Sequence, residues 1–315
     1  MEMIISLRGS ILIGDNIEKQ FNRFKKFISE IDQTNLSEYK EKFFQQINSI
    51  AKTIESAPNR TELEDHFFEM CGGIETSIMH KRTRKKPLGY AGDYQLIDWI
   101  YTKKTAPSGK GKLFDLLFHS YEAAESVRNR KAYFIQKCIE LSRQKQSRFD
   151  ILNIGCGSCR DVLEMYQYSK NGKQIYFHCV DHEKKALQYA KKLFANTQLR
   201  ENIHLDNENI FKLKTSKKYD MIWSAGLFDY LEDPMAILLL KKIWRYLKED
   251  GQIIFGNFST KNPTRKGMEM VGKWHLIHRT ADHLIKLCKK THLPFSEIEI
   301  ESEPLGVNLF CILRK

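Results

Sequence analysis

The sequence has no run of about 18 uncharged apolar residues, so it contains no predicted transmembrane helix. It has only 7 cysteines in 315 residues, and an odd number in a chain of this length does not suggest a disulfide scaffold. A reducing, cytoplasmic location is therefore expected. Residues 1–13 show an apolar, hairpin-like pattern broken by Arg8, and they lack the basic start and the small-residue cleavage site of a secretory signal.

The positive charge is not concentrated in one part of the chain. The net charge of +12 divides into +6 in residues 1–148, which hold 25 Lys and Arg against 19 Asp and Glu, and +6 in residues 149–315, which hold 26 against 20. The one dense basic run is 81–86, which we interpret as a basic loop on a solvated surface. Because nucleic-acid binders usually gather their charge on one face, nucleic acid is not the expected partner.

The spacing of apolar residues changes near residue 148. Before it, apolar residues recur at intervals of three and four, which predicts a mostly helical N-terminal domain over residues 1–147. In residues 148–315, β-rich runs alternate with amphipathic helices, and this pattern predicts a parallel sheet covered on both faces. The last two β-rich runs predict an antiparallel hairpin at the sheet edge. The predicted strands are 149–154, 175–180, 203–205, 219–223, 252–255, 296–300 and 308–313, and the predicted helices among them are 160–168, 183–195, 235–247 and 280–292.

The most informative motif is a glycine turn after the first predicted strand. That strand leads into Gly155-Cys156-Gly157-Ser158, and a helix is predicted from Arg160. Glycine suits such a turn because it adopts unusual backbone angles and lets a ligand approach the backbone closely. The next strand ends at Asp181, 26 residues after Gly155. An acid at that strand end can accept both ribose hydroxyls of a nucleoside.

Two classes of cofactor use this geometry. Dinucleotide enzymes require a third glycine, and here that position is Arg160, so NAD and FAD are not expected. The form Gly-Cys-Gly-Ser, followed by an acid after the second strand, resembles class I S-adenosylmethionine-dependent methyltransferases. The resemblance implies a Rossmann-like α/β sheet of seven strands with an antiparallel last hairpin, and S-adenosyl-L-methionine as the cofactor.

The same resemblance implies which residues bind the cofactor. In that family the glycine loop lies against the methionine portion, and the acid holds the ribose. A polar and an apolar residue after the third strand lie near the adenine, and the end of the fourth strand faces the sulfonium. Carried over onto this sequence, the cofactor-binding residues are Gly155, Cys156, Gly157, Asp181, His182, Asn209, Ile210, Ser224, Ala225 and Gly226.

No metal site is predicted. Cys156 and Cys159 form a Cys-x-x-Cys pair, but zinc needs four ligands and no second pair appears. Both cysteines lie within the glycine loop, so local packing is the simpler interpretation. The ten histidines show no metal-ligand spacing along the chain.

Longer motifs resemble one group within the methyltransferases. They are similar to bacterial enzymes that make 3-hydroxy fatty acid methyl esters, which are quorum-sensing signals named after 3-hydroxypalmitic acid methyl ester. The resemblance implies methyl transfer to the carboxylate of a small acid. The sequence departs from the pattern of the group at Glu183, where Asp is usual, and at His278, where Tyr is usual. The matching motifs are residues 87–94, 127–130, 224–231, 256–258 and 274–279.

A carboxylate acceptor is already ionised at neutral pH, so its methylation requires orientation and exclusion of water rather than a general base. One or two arginines would orient such an acceptor, and the choices are Arg128, Arg130 and Arg279. A hydroxyl or amine acceptor is the alternative and would need a base. A nucleic-acid methyltransferase and a non-catalytic effector that binds the cofactor are further alternatives. The candidate catalytic residues are Tyr90, Arg128, Asp229, Tyr230 and His275.

The N-terminal domain is expected to act as a lid, because the ligand crevice of such a sheet has to be closed against water. Tyr90 lies on a glycine-flanked loop, and Asp93 is predicted to cap a helix over residues 94–101. The expected partner is a small-molecule acid, and the sequence leaves a homodimer open.

Overall fold

The computed structural model describes residues 2–32, 36–145, 148–168 and 174–315. Two compact units are formed, and each is assembled from separate chain segments. We call one the helical unit, which comprises Met1–Gly92, Lys103–Tyr121 and Pro263–His275. We call the other the sheet unit, which comprises Asp93–Thr102, Glu122–Asn262 and Leu276–Lys315. The predicted division into domains at residue 147 stays a prediction.

The first part of the chain is helical, as predicted. The hairpin-like interpretation of residues 1–13 is wrong, because residues 2–13 belong to the helix α1. Ile4, Leu7 and Ile11 follow the three- and four-residue spacing of a helix, which outweighs the local alternation. None of the described helices is both long and apolar enough to cross a bilayer. The helices before the sheet are α1 Glu2–Glu30, α2 Leu36–Glu55, α3 Arg60–Cys71, α4 Ile78–Lys85, α5 Tyr94–Thr102, α6 Gly109–His119 and α7 Glu122–Arg143.

Aromatic side chains fill the core of the helical unit. Phe24 is fully buried, with its ring centroid 5.6 Å from that of Phe43 and 5.4 Å from that of Phe67. The basic run was predicted to be a loop, and this is wrong because residues 81–85 complete α4. Its Arg84 guanidinium lies 3.3 Å from the centroid of the Phe68 ring, so part of the run packs instead of facing solvent.

The sheet unit contains the predicted sheet of seven strands, in the order β3-β2-β1-β4-β5-β7-β6. The first five strands are parallel, and β7 is antiparallel to both β5 and β6, which confirms the terminal hairpin. The strands are β1 Phe149–Ile154, β2 Ile175–Val180, β3 Ile203–Asp206, β4 Tyr219–Ser224, β5 Leu247–Phe258, β6 Glu297–Ser302 and β7 Asn308–Arg314. The helices that follow α7 are α8 Arg160–Tyr168, α9 Lys184–Phe194, α10 Asp233–Trp244, α11 Arg265–Met270 and α12 Ala281–Lys289.

Apolar side chains are buried on both faces of this sheet, as its parallel strands require. Phe177 and Trp223 are buried on one face, while Ile222 and Phe255 are buried on the other. The predicted helix over 235–247 is three residues too long, because Leu247 already belongs to β5. The carboxyl ends of the parallel strands share one edge, which is where ligand sites form in such folds.

Candidate functional site

The glycine loop joins β1 to α8 at this edge of the sheet. Gly155 and Gly157 have φ angles of +62° and +56°, a region that side chains rarely adopt. The Gly155 N–H donates to the Val180 carbonyl at 2.9 Å, which fixes the start of the loop against the end of β2. A Cβ atom on Gly157 would lie 3.5 Å from the Cβ of Tyr94, so the glycine leaves space between the loop and α5.

Asp181 follows β2 and is joined to the same loop. Its carboxylate accepts the Gly157 N–H at 2.7 Å and the Glu183 N–H at 2.9 Å. The side chain is buried, and this burial raises the pKa of Asp181. The His182 ring lies 3.7 Å from Asp181 and is mostly exposed. Glu183 instead accepts the Lys185 N–H and caps α9.

The segment after β3 approaches the end of β2. Asn207 donates its side-chain amide to the carbonyls of Asp181 and His182, both at 3.0 Å. The predicted adenine contact Asn209 is exposed, and its side-chain oxygen accepts the Phe211 N–H at 2.9 Å. Sequence reasoning missed Asn207, although the polar stretch at 206–209 indicated that this segment is part of the site.

Ile210, the other predicted adenine contact, is 8% exposed and packs in the core on one face of the sheet. A buried apolar side chain four residues after the end of a strand can provide one wall for a flat aromatic ring. Its role in binding adenine stays a prediction.

The end of β4 brings backbone and side chains into close contact. The Ala225 carbonyl accepts the Arg130 Nη1–H at 3.1 Å. A Cβ atom on Gly226 would lie 2.9 Å from that nitrogen, and one on Gly256 would lie 2.4 Å from the Ala225 oxygen. The Ser224 hydroxyl is buried and has no hydrogen-bond partner among the described residues. Such an orphaned group is a feature of sites that receive a ligand or water.

Asp229 is the most strongly perturbed carboxyl at this strand end. It is 2% exposed, and its Oδ1 accepts the Phe258 N–H at 2.7 Å. Burial raises the pKa of Asp229 to about 7, although Arg130 at 3.9 Å and Arg279 oppose the shift. Tyr230, the next residue, is 39% exposed.

The structure distinguishes between the two arginines of α7. Arg130 is 4% exposed and contacts both the Ala225 carbonyl and Asp229. Its Nε has no hydrogen-bond partner in the part of the chain that the structure describes. Arg128 is half-buried, and burial lowers its pKa. Arg130 is therefore the α7 arginine at the end of β4, and it was absent from the predicted catalytic set.

Arg279 is fully buried, and all three of its guanidinium nitrogens donate hydrogen bonds within the protein. Its guanidinium donates to Asp233, to Asn257 Oδ1 at 2.6 Å, and to the Phe228 and Leu231 carbonyls. The sequence suggested Arg279 as a group that orients the acceptor, and this is wrong because all three nitrogens are occupied by internal acceptors. Its position instead fixes the segment that carries Asp229.

The remaining candidates are divided between the two units. Tyr90 and His275 belong to the helical unit, where Tyr90 is partly exposed and His275 is exposed. Arg128, Asp229 and Tyr230 belong to the sheet unit. The catalytic roles of all five stay predictions.

One prediction with a structural content is confirmed in the sheet unit. Asp93 caps α5, because its carboxylate accepts the Gln95 and Leu96 N–H groups at 3.1 and 2.9 Å. The Cys156-x-x-Cys159 pair lies in the glycine loop together with Cys179, and the three sulfur atoms lie within 4.8 Å of one another. Burial raises the pKa of Cys156 and Cys179 well above the usual range, which favours neutral thiols, and their role in local packing stays a prediction.

These residues fit S-adenosylmethionine. The two positive-φ glycines keep the loop after β1 free of side chains at these positions, and Asp181 supplies a buried acceptor beside it. The orphaned Ser224 hydroxyl lies at the end of β4, on the other side of β1 from β2. A nucleoside attached to an amino acid needs both the acceptor for its hydroxyls and the backbone donors for its polar end.

Comparisons with known proteins agree with this assignment. Residues 145–295 match a family described as a methyltransferase domain, and comparison with curated proteins gives no match. The structure of a possible exported protein from Bordetella parapertussis has a TM-score of 0.65 and 17% sequence identity, covering 90% of this chain and 99% of that chain. The apo structure of the S-adenosylmethionine-dependent methyltransferase SibL has a TM-score of 0.53 and 15% identity, covering 99% of both chains. At these identities the two structures show a shared fold alone. Residues 145–295, which hold the five parallel strands, therefore form a methyltransferase domain, and its cofactor is S-adenosylmethionine.

Proposed function

We propose that the protein transfers a methyl group to the carboxylate of a small organic acid, with a 3-hydroxy fatty acid as the first candidate, and so forms a methyl ester. The observation that carries this proposal is the environment of Arg130. Its guanidinium is almost completely buried at the end of β4, and its Nε lacks a partner among the described residues. A buried guanidinium favours an anionic ligand, and a carboxylate offers matching geometry.

The bound cofactor supplies an electrophilic methyl group on a positively charged sulfur. The protein's task is then to hold the acceptor oxygen in line with that methyl group and to keep water out. Arg130 orients the acceptor carboxylate. When Asp229 is protonated, it is neutral and no longer repels that carboxylate. A pKa of about 7 allows that neutral form to be well populated at neutral pH.

The predicted cofactor-binding residues are part of this proposal. Asp181 holds the ribose hydroxyls, and Asn209 and Ile210 contact the adenine. His182 borders the ribose, and the glycine loop with residues 224–226 lines the methionine portion. Support comes from the hydrogen bond between Asp181 and Gly157, which joins the predicted ribose and methionine sites.

The test is a methyl-transfer assay on the full chain with methyl-labelled cofactor. The acceptors are 3-hydroxy fatty acids, short acids, alcohols, amines, tRNA and a protein extract. Arg130→Gln should lower kcat/KM for the acid by about 30-fold or more, while Arg130→Lys should retain part of the activity. Arg143→Gln is the matched control, since Arg143 is exposed on the same helix. Equal activity of Arg130→Gln and Arg143→Gln would refute the role of Arg130.

A second candidate function is methylation of a hydroxyl or amine, with Asp229 as the general base. The observation that favours it is the pKa of about 7, which suits a base at neutral pH. In that case kcat/KM should rise with pH through about 7, and Asp229→Asn should abolish both the rise and the activity. An acid acceptor should give no such rise, because its carboxylate is already ionised.

The role of the N-terminal domain as a lid, a homodimer and a cytoplasmic location remain predictions. If Tyr90 takes part in catalysis, Tyr90→Phe should lower turnover strongly and leave cofactor affinity within about threefold. His275→Ala serves as the parallel variant, because His275 is the other candidate from the helical unit. Arg128→Ala and Tyr230→Phe complete this set for the sheet unit.

A further inference from the structure

Three potential metal ligands lie together on β2 and β3. His178 of β2 pairs with His204 of β3 in the sheet register, and Asp206 lies two residues further along β3. Because side chains alternate along a strand, all three point to the same face. One ligand atom from each lies within 4.8 Å of the other two. The sequence predicted no metal because residues 178 and 204 are far apart in the chain, and only the parallel pairing brings them together.

Their orientations are compatible with a shared ion. The His178 ring lies 4.9 Å from the His204 ring, centroid to centroid, and its Nε2 is 3.4 Å from Asp206 Oδ2. The other nitrogen, Nδ1, is 2.6 Å from the hydroxyl of the fully buried Tyr219. A hydrogen bond at one ring nitrogen fixes the orientation of the ring and directs the other nitrogen toward a metal.

We propose that His178, His204 and Asp206 bind a divalent transition-metal ion of the zinc type, with Tyr219 as a positioning residue. Two imidazoles and one carboxylate are a donor set that Zn²⁺ takes readily, and a fourth position would be left for water. Ligand atoms about 2.0–2.2 Å from one ion lie closer together than 4.8 Å, so binding requires only small side-chain movements.

The ion can reach this site from solvent. His204 is exposed, and about a third of the Asp206 side chain is exposed. The chain then continues from Asp206 into Asn207, whose amide holds the carbonyls of Asp181 and His182. An ion bound here would therefore fix the ends of β2 and β3 next to the predicted ribose site. Metal binding itself does not depend on the acceptor or on the proposed function.

The experiment uses the full chain after treatment with a chelator. Zn²⁺ binding is measured by calorimetry, and Co²⁺ is added to record its visible absorption, which reports the coordination number. We expect one ion per chain and a Co²⁺ spectrum typical of four-coordinate sites. His204→Ala and Asp206→Asn should each weaken binding by at least about 100-fold, and Tyr219→Phe by about 10- to 100-fold.

The control is His283→Ala. His283 is also an exposed histidine beside a carboxylate, with its Nε2 2.7 Å from Asp233 Oδ2, but it lies outside the proposed site. It should leave binding unchanged. The absence of stoichiometric uptake, or an equal loss in His204→Ala and His283→Ala, would overturn the site. Unchanged affinity in Tyr219→Phe would remove Tyr219 from it. Because the His204 side chain is exposed, its replacement should leave the fold intact, and circular dichroism checks this.

Discussion

Replacing Asp181 by Ala tests the predicted ribose contact most directly. A pair of hydrogen bonds from ribose hydroxyls to a carboxylate contributes about 2–3 kcal/mol. Its loss should therefore weaken S-adenosylmethionine binding by about 30- to 150-fold. The same change removes the acceptor of the Gly157 and Glu183 N–H groups, so the free energy of unfolding should fall by about 1–3 kcal/mol.

Glu183→Ala is the matched variant. Glu183 is two residues away and is the position at which the related group usually has a second acid, but here its carboxylate caps α9. Losing the cap should lower the free energy of unfolding by about 1 kcal/mol and leave cofactor affinity within about threefold. Isothermal titration calorimetry, at a temperature where both variants are folded, measures the affinities.

The two variants separate the possible outcomes. If Asp181→Ala binds the cofactor as tightly as the unchanged chain, Asp181 does not hold the ribose. If the loss appears in Glu183→Ala instead, Glu183 is the ribose acid, and Asp181 only holds the glycine loop in place.

Gly157→Val should abolish cofactor binding while the chain remains folded. The control Gly306→Val carries a similar backbone strain at φ +66° but has open space around it, so it should leave the affinity unchanged. Calorimetry measures the affinity and circular dichroism the folding, and normal binding by Gly157→Val would mean that the loop is only a turn. Gly256→Ala should lower the melting temperature strongly, because its Cβ would meet a backbone oxygen at 2.4 Å, while Gly267→Ala, whose nearest contact would be 3.7 Å, should not. Burial raises the pKa of Asp229 to about 7, whereas an aspartate in the unfolded chain has a pKa near 4, so at pH values between the two the folded state holds one more proton than the unfolded state. The free energy of unfolding should therefore fall as pH rises through this window, and Asp229→Asn should remove that part of the fall in chemical denaturation experiments at pH 5 and 8; identical slopes in both proteins would contradict the shift.

The fold could be predicted from the sequence wherever local patterns decide. The glycine turn, the acid 26 residues later and the alternation of β-rich runs with helices each need only local spacing, and they placed β1, β2 and the loop at Gly155. The boundary between α10 and β5 was predicted less accurately than these elements. Leu247 continues the apolar helical stripe and is also a good first strand residue, so the tertiary pairing with Tyr219 decides.

The site was less predictable because its contacts come from different elements. Arg128 and Arg130 are two residues apart on one helix, and the sequence does not say which of them faces the end of β4. Arg279 looks like a free cation in the sequence, yet it is surrounded by internal acceptors. The pairing of His178 with His204 also depends on strand order, which no local pattern encodes.

The interleaving of the two units has a consequence for how such a protein can be dissected or recombined. The chain passes from one unit to the other five times, at residues 92/93, 102/103, 121/122, 262/263 and 275/276. No single breakpoint therefore yields either unit as a contiguous module. A fragment that starts at residue 148 would lack α5 and α7 of the sheet unit and would retain α11, a piece of the helical unit. Exchange of acceptor specificity between relatives would accordingly have to proceed through point substitutions or loop replacement rather than through shuffling of whole domains.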